Sequence, residues 1–534
     1  MSQSTPPLPG AQPPRNGNSV LIGVLVGVVV FALIAAGIGI YAAKHHRSGI
    51  ALGPVTTTPT ASPATAPLPS TDPALAKFYD QKLSWTRCGR DQCARLTVPL
   101  DYAKPAGADL RLALLKVPAQ VPSERLGALV VNPGGPGGSG IDYAAAGSLQ
   151  FGAPLSNHFD IVGFDPRGVG KSDPLTCAST AQIDELLAFD PDPLTAAGRT
   201  RMDTLIRAFG QGCLTRSGDL ARHMSTKEAA RDMDILRAAL GEPKLDYLGA
   251  SYGTFLGATY AGLFPTHVGH FVLDGAIDPA LSNAQLSIEQ AHGFETALRA
   301  YAANCAASGC FLGRTTDEVV TRIQKFLAST DQVPLDTGSS RKLTEGYATI
   351  GVWLPLYVKS YWPNLTDALK LAIIDHDGSG LLSLADAYSS RGTTGYTDNS
   401  VEALYAVNCL DHDDYIATSD VPARFAEFLK ASPTFGRAFA FGLSTCSTWP
   451  VRSGQASQAI HAAGAPPIVV VGTTRDPATP LAWAQALAGE LDSGRLITRN
   501  GDGHTGFRQG NPCVDNAVQD WLISGKVPPA DLHC

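Results

Sequence analysis

Gly249-Ala250-Ser251-Tyr252-Gly253 is a G-x-S-x-G segment between a short apolar run (Leu245, Tyr247, Leu248) and a helix-like stretch from Thr254 to Leu263. A strand, a sharp turn and a helix in that order lift a serine hydroxyl into the open at the end of a sheet. Serine is a weak nucleophile at its own pKa, so a histidine must take its proton and an acid must orient that histidine. Downstream, Pro467 to Gly472 reads as a buried strand with Asp476 in the loop after it. Arg495 to Thr498 reads as another strand, with His504 in the Gly-rich loop Gly501 to Gly506. A turn aspartate before Pro477 and a surface histidine would explain each residue alone. The three together, in the order serine, acid, histidine, favour a triad of Ser251, Asp476 and His504 that transfers an acyl group through a serine ester. Asp274, at the end of an earlier strand, and Asp502 are the rival acids.

Such chemistry needs two N–H donors for the developing oxyanion. One belongs to the residue after the nucleophile, Tyr252. The other is expected in the loop Asn132-Pro133-Gly134-Gly135-Pro136-Gly137-Gly138-Ser139-Gly140, which follows the apolar strand Ala128 to Val131. Glycine lets that loop approach a substrate oxygen without side-chain collision. Gly135 is the first choice of donor and Gly134 the reserve.

Positioning these groups takes a sheet. Eight strand-like runs lie near 95–100, 109–117, 128–132, 159–164, 245–249, 271–275, 467–472 and 495–499. The second alternates, with Leu110, Leu112 and Leu114 on one face and Arg111, Ala113 and Leu115 on the other. The later runs are nearly continuous Val/Ile/Leu, as buried parallel strands should be. Between the fourth and fifth, Ser225 to Leu240 reads as a helix: Ser225 with Glu228 forms a capping box, Ala229, Met233, Leu236 and Leu240 an apolar stripe, and Gly241 the end. About 190 helix-patterned residues separate the sixth and seventh strands, too many for a loop, and should fold as a cap over the site.

At 534 residues the chain exceeds one compact core. A net charge of −7 without a basic block argues against a nucleic-acid partner. Val20 to Ala43 is uncharged and long enough to span a bilayer; a signal peptide cleaved after Tyr41-Ala42-Ala43 is the alternative. Flanking charges do not settle its orientation, but all ten cysteines lie beyond it, and disulfides persist outside the cytoplasm. The catalytic part should therefore face outward from a single-pass anchor or, after cleavage, be secreted. Neighbour pairing is the simplest assignment: Cys88–Cys93, Cys177–Cys213, Cys305–Cys310, Cys409–Cys446 and Cys513–Cys534. No cysteine or histidine pattern has zinc spacing, so neither metal nor cofactor is expected. Asp375 to Asp386 imitates a calcium loop, but its twelfth residue is Asp rather than Glu, and a turn capping a helix from Leu381 to Tyr388 accounts for it.

The resulting division is a cytoplasmic tail (1–19), an anchor (20–43), a Pro/Thr/Ala-rich linker (44–72), a first core part (73–279), a cap region (280–460) and a second core part (461–534). Eight strands alternating with helices make this an α/β chain of the α/β-hydrolase type, with a mostly parallel sheet and a large helical cap after the sixth strand.

Several phrases together resemble one group of enzymes. They are Gly134-Gly135-Pro136-Gly137, Asp165-Pro166-Arg167-Gly168-Val169-Gly170-Lys171-Ser172, Gly249 to Gly253, Leu273-Asp274-Gly275-Ala276-Ile277-Asp278-Pro279 and Gly472-Thr473-Thr474-Arg475-Asp476-Pro477. Over about residues 75 to 534 the chain is similar to the prolyl and tripeptidyl aminopeptidases, in particular the secreted actinobacterial tripeptidyl-aminopeptidase-like enzymes. The resemblance implies a serine exopeptidase acting on peptides with free amino termini. An acid on the cap should then read the substrate's ammonium group. Asp411, in a stretch similar to the family's Ala-x-x-Cys-x-Asp, is the first candidate and Glu402 the second. Two other readings stand beside it: an esterase or lipase using the same triad, and a non-catalytic binding domain, which would normally have lost a triad member. The sequence does not set the number of residues released, the side-chain preference or the oligomeric state.

Overall fold

A computed structural model describes residues 73–452 and 456–534. The tail, anchor and linker read at 1–19, 20–43 and 44–72 lie outside the described residues. Among the described residues, no helix is long and apolar enough to cross a membrane.

The core is one ten-stranded sheet in the order β1-β2-β3-β5-β4-β6-β7-β8-β9-β10. Its strands are β1 (Thr86–Cys88), β2 (Asp91–Pro99), β3 (Asp109–Val117), β4 (Gly127–Asn132), β5 (Phe159–Phe164), β6 (Leu245–Ala250), β7 (Val268–Asp274), β8 (Ile468–Arg475), β9 (Gly494–Asp502) and β10 (Asp531–His533). β3 runs antiparallel to both neighbours, and every pair from β5 to β10 is parallel. The eight strands read from the sequence are β2 to β9. The two additional edge strands span only three residues each, too short to show a period.

All residues of β4 and β5 are buried, because helices cover both faces of the sheet. The chain runs from β4 outward to β5, then crosses back to β6 on the other side of β4. That reversal opens a crevice at the carboxyl ends of β4 and β6, where open α/β sheets bind ligands. Asn132 pairs with Gly249 there, so the glycine loop and the serine turn leave the sheet side by side.

The helix Thr226–Leu240 buries Ala229, Met233 and Leu236. Ser225 caps it by accepting from the Glu228 N–H. Glu228 does not complete the expected box: its carboxylate takes the Ser225 hydroxyl and His223 Nδ1 instead. Gly241 closes the helix at φ 79°, a left-handed position suited to glycine. The same helix buries Asp232, which Arg167 of the Asp-Pro-Arg-Gly phrase grips with two bonds of 2.8 and 2.7 Å. Arg167 also donates to the carbonyls of Pro99, Leu100 and His223, so it ties the end of β2 and the turn before the helix to its own loop from inside the core.

Helices from Asn283–Ala307 to Gly436–Gly442 form the cap, with a core of its own around Leu298, Ile323, Val352, Leu365 and Leu381. Two earlier helices, Thr180–Ala188 and Ala196–Ser217, sit within the stretch read as core. The first packs on the cap: Tyr347 donates to the Asp184 carbonyl and Arg391 grips the Asp184 carboxylate. The cap thus touches this helix from above, while Ile183 of the helix, like Phe209 and Cys213 of the next one, belongs to the core cluster of the sheet. In the loop that imitates a calcium site, Asp377 accepts from the Ser379 N–H and Asp386 pairs with Arg341. Disulfides join Cys88–Cys93, Cys177–Cys213, Cys305–Cys310, Cys409–Cys446 and Cys513–Cys534.

Candidate active site

β6 ends in a tight turn whose third residue, Ser251, has φ 56° and ψ −127°. A serine adopts that conformation only where its surroundings force it. The Ser251 N–H donates to the Asp274 carbonyl (2.8 Å), and its own carbonyl accepts from the N–H and hydroxyl of Thr254. The flanking glycines are needed for space. A Cβ on Gly249 would lie 2.4 Å from the Gly253 carbonyl oxygen, and one on Gly253 would lie 2.9 Å from that of Asn132.

The loop after β4 comes equally close. A Cβ on Gly134 would fall 2.9 Å from the Tyr252 nitrogen and 2.9 Å from the Ser251 Cβ. Gly134 and Gly135 have φ 93° and 114°. The Gly134 N–H is already given to the Asn132 side chain at 2.9 Å. The Gly135 and Tyr252 N–H groups make no hydrogen bond among the described residues, so both are available to a substrate oxygen.

Asp476, with its side chain fully enclosed, reaches His504 Nδ1 with both oxygens at 2.9 Å. A carboxylate only accepts, so Nδ1 carries the proton and Nε2 is the basic nitrogen. The N–H groups of Ala478, Thr479 and Thr505 fix the same carboxylate. The Thr479 hydroxyl lies 3.3 Å from Nδ1. Nε2 is buried and has no hydrogen-bond partner. The structure thus brings Asp476 and His504 into contact and leaves the Ser251 hydroxyl not yet bonded to the imidazole, a spacing common before substrate binds. Burial alone would depress the imidazole, but the charge and hydrogen bond of Asp476, helped by Asp274, hold it above its ordinary value.

Neither rival acid occupies that position. Asp274 accepts from the N–H groups of Gly506 and Phe507. Asp502 is held by Lys359 and Arg475.

The cap rests on both loops. The Tyr357 carbonyl accepts from the His504 N–H at 2.8 Å, and its ring stands edge-on to the imidazole with centroids 5.4 Å apart. Gln290 donates to the Ala478 carbonyl, and a Cβ on Gly293 would lie 2.5 Å from the Pro477 oxygen. Thr479, Tyr357 and Gln290 were missed in the sequence. Only Thr479, three residues after Asp476, carried a positional hint.

Of the two acids expected to read an amino terminus, Glu402 is engaged by the backbone away from the serine turn. One of its oxygens accepts from both the Cys177 (2.5 Å) and Ala178 (3.1 Å) N–H groups, and the side chain is buried. It braces the loop at the Cys177–Cys213 disulfide. Asp411 is half-buried at the end of the helix Ser400–Asp411. Its two oxygens accept from the Thr226 N–H (2.8 Å) and hydroxyl (2.6 Å), and that hydroxyl also bonds the Tyr252 phenol. Burial pushes the Asp411 carboxyl up to about 7 despite these bonds.

A nucleophile elbow at the switch point of this sheet, an Asp–His pair and two free N–H donors define a serine hydrolase of the α/β-hydrolase fold. Residues 432–534, which hold Asp476 and His504, match the family model described as TAP-like protein. The chain is 37% identical over 480 residues to "Serine protease Hip1" of Mycobacterium tuberculosis, covering 85% of this chain and 91% of that protein. It is 38% identical over 456 residues to "Carboxylesterase B" of the same organism, covering 83% and 86%. It is 33% identical over 487 residues to "Tripeptidyl aminopeptidase" of Streptomyces lividans, covering 86% and 88%. The chain belongs to this tripeptidyl-aminopeptidase-like family of serine peptidases.

Proposed function

We propose that the protein is a serine exopeptidase that releases short peptides, tripeptides foremost, from free amino termini. Ser251 attacks the scissile carbonyl carbon and its proton passes to His504 Nε2. The carbonyl oxygen, now negative, is met by the Gly135 and Tyr252 N–H groups, each worth about 3 kcal/mol in such a hole. His504 then protonates the leaving amine, the peptide C–N bond breaks, and the N-terminal fragment remains as an ester on Ser251. Water, deprotonated by His504, hydrolyses the ester. Asp476 holds the imidazole in the tautomer this requires.

The observation that carries the exopeptidase reading is Asp411. It is a carboxylate at a fixed offset from the oxyanion donor, bonded through Thr226 to the side chain of the residue after the nucleophile. An ammonium group can use the lone pairs that Thr226 leaves free, and a blocked terminus cannot. The cap resting on both catalytic loops further supports small substrates over folded ones. The five disulfides support catalysis outside the cytoplasm, with 20–43 as an uncleaved anchor. Ester hydrolysis by the same triad is the second reading, favoured by the likeness to carboxylesterase B.

Asp411→Asn tests the choice. It should raise KM for a free tripeptide anilide about tenfold or more and leave hydrolysis of a short neutral ester nearly unchanged. Equal losses on both substrates, or none on either, would remove Asp411 from the role.

A further inference from the structure

Asp274 ends β7 between the two halves of the site and is 3% exposed. Its backbone carbonyl holds the nucleophile, accepting from the Ser251 N–H at 2.8 Å. Its side chain holds the histidine loop: Oδ1 accepts from the Gly506 N–H at 2.7 Å and Oδ2 from the Phe507 N–H at 2.9 Å. One residue therefore bonds to the nucleophile turn and to the histidine loop at once. The carbonyls of the same loop are served from the other side by Arg499, which donates to those of Asp502, Thr505 and Gln509. The next residue, Gly275, has φ 69°, and a Cβ there would come 3.3 Å from His504 Cε1. The Asp274 carboxylate is thus held against the histidine loop, two and three residues past His504, with no cation hydrogen-bonded to it among the described residues.

We infer that Asp274 is a second carboxylate of the catalytic centre, a positioning residue that ties the nucleophile turn to the histidine loop and sets a buried negative charge beside that loop. A buried carboxylate bonded only to two amides keeps most of its field. The charged and titratable groups that face it from the surrounding elements are His504, Asp476, Arg499 and Tyr143. Of these, His504 is the group whose protonation governs turnover near neutral pH. Burial pushes the Asp274 carboxyl up to about 6, while its two amide donors and the imidazole restrain the rise, so it is ionised where His504 is neutral and active. The role differs from that of Asp476, which sets the tautomer by direct contact.

The test is the pH profile of kcat/KM for Asp274→Asn and Asp274→Glu in the full-length protein, with a short neutral ester as substrate. Asn removes the charge and Glu keeps it, while both disturb the Gly506 and Phe507 bonds. Both variants should lose about tenfold or more in kcat with little change in KM. The acidic limb should move to lower pH by about half a unit or more in Asn alone. A limb unmoved in Asn, or moved equally in Glu, overturns the inference. Where Asn does not fold, the imidazole titration in Glu, followed by NMR, serves in its place. A His504 pKa kept within about 0.3 of the parent supports the inference, and a fall as large as half a unit contradicts it.

Discussion

Asp411 gains its charge, and the substrate's amino terminus loses its own, about one pH unit apart, and this gives the recognition step its own pH signature. Burial pushes Asp411 up to about 7, so its carboxylate is present above that pH and lost as pH falls through it. A peptide's α-ammonium is charged below about 8 and lost above it. Binding should be tightest between the two values. The protonation of His504 affects peptide and ester alike, so it cancels in the ratio of kcat/KM for a free tripeptide anilide to that for a neutral ester. That ratio should peak between about pH 7 and 8 and fall on both sides. A flat ratio from pH 5.5 to 9 would contradict the role of Asp411. At this scale the sequence displayed Ser251, Asp476 and His504 through motif and chain order, and their loops leave the parallel strands β6, β8 and β9, with β7 between the first two. Asp274 stayed hidden as a support because its partners are backbone N–H groups far along the chain, and Thr479 and Arg499 because theirs are fixed only by the fold of the histidine loop. Glu402 misled for the same reason: an acid in an apolar stretch looks available until the N–H groups that claim it are known.

The elements that carry these residues depend on buried polar clamps as much as on apolar faces. Arg167 and Asp232 are both essentially unexposed, and neither has another full charge bonded to it so closely. Removing one leaves the other buried and unpaired, so Arg167→Met should destabilise the protein by about 3–5 kcal/mol. Pairing it with Asp232→Leu should recover much of that loss. Urea-unfolding midpoints check both statements, and a single variant as stable as the parent would refute them. Apolar runs and caps made β2 to β9 and the Thr226–Leu240 helix readable. The short edge strands lacked a period, and the helices Thr180–Ala188 and Ala196–Ser217 carried nothing local to show which layer they join. Only tertiary partners such as Tyr347 and Arg391 show that the first of them also touches the cap.

In the whole molecule, the cap and the sheet meet at the catalytic loops. Tyr357 holds His504, Gln290 holds the loop of Asp476, and the helix that ends in Asp411 places that acid behind Tyr252. The cap can therefore select substrates at the same place where it braces the chemistry. The Cys409–Cys446 disulfide fastens the Asp411 helix to the returning segment, close to that junction. Recognition of a chain end is the central claim, and it is a property of this assembly rather than of any one element. It is tested most directly by comparing one tripeptide anilide with its Nα-acetylated form on the purified protein. We predict that the free peptide is cleaved to tripeptide and aniline and that acetylation lowers kcat/KM by about a hundredfold or more, in keeping with the loss of a charged hydrogen bond in a closed site. Equal kcat/KM for the two forms would contradict the account.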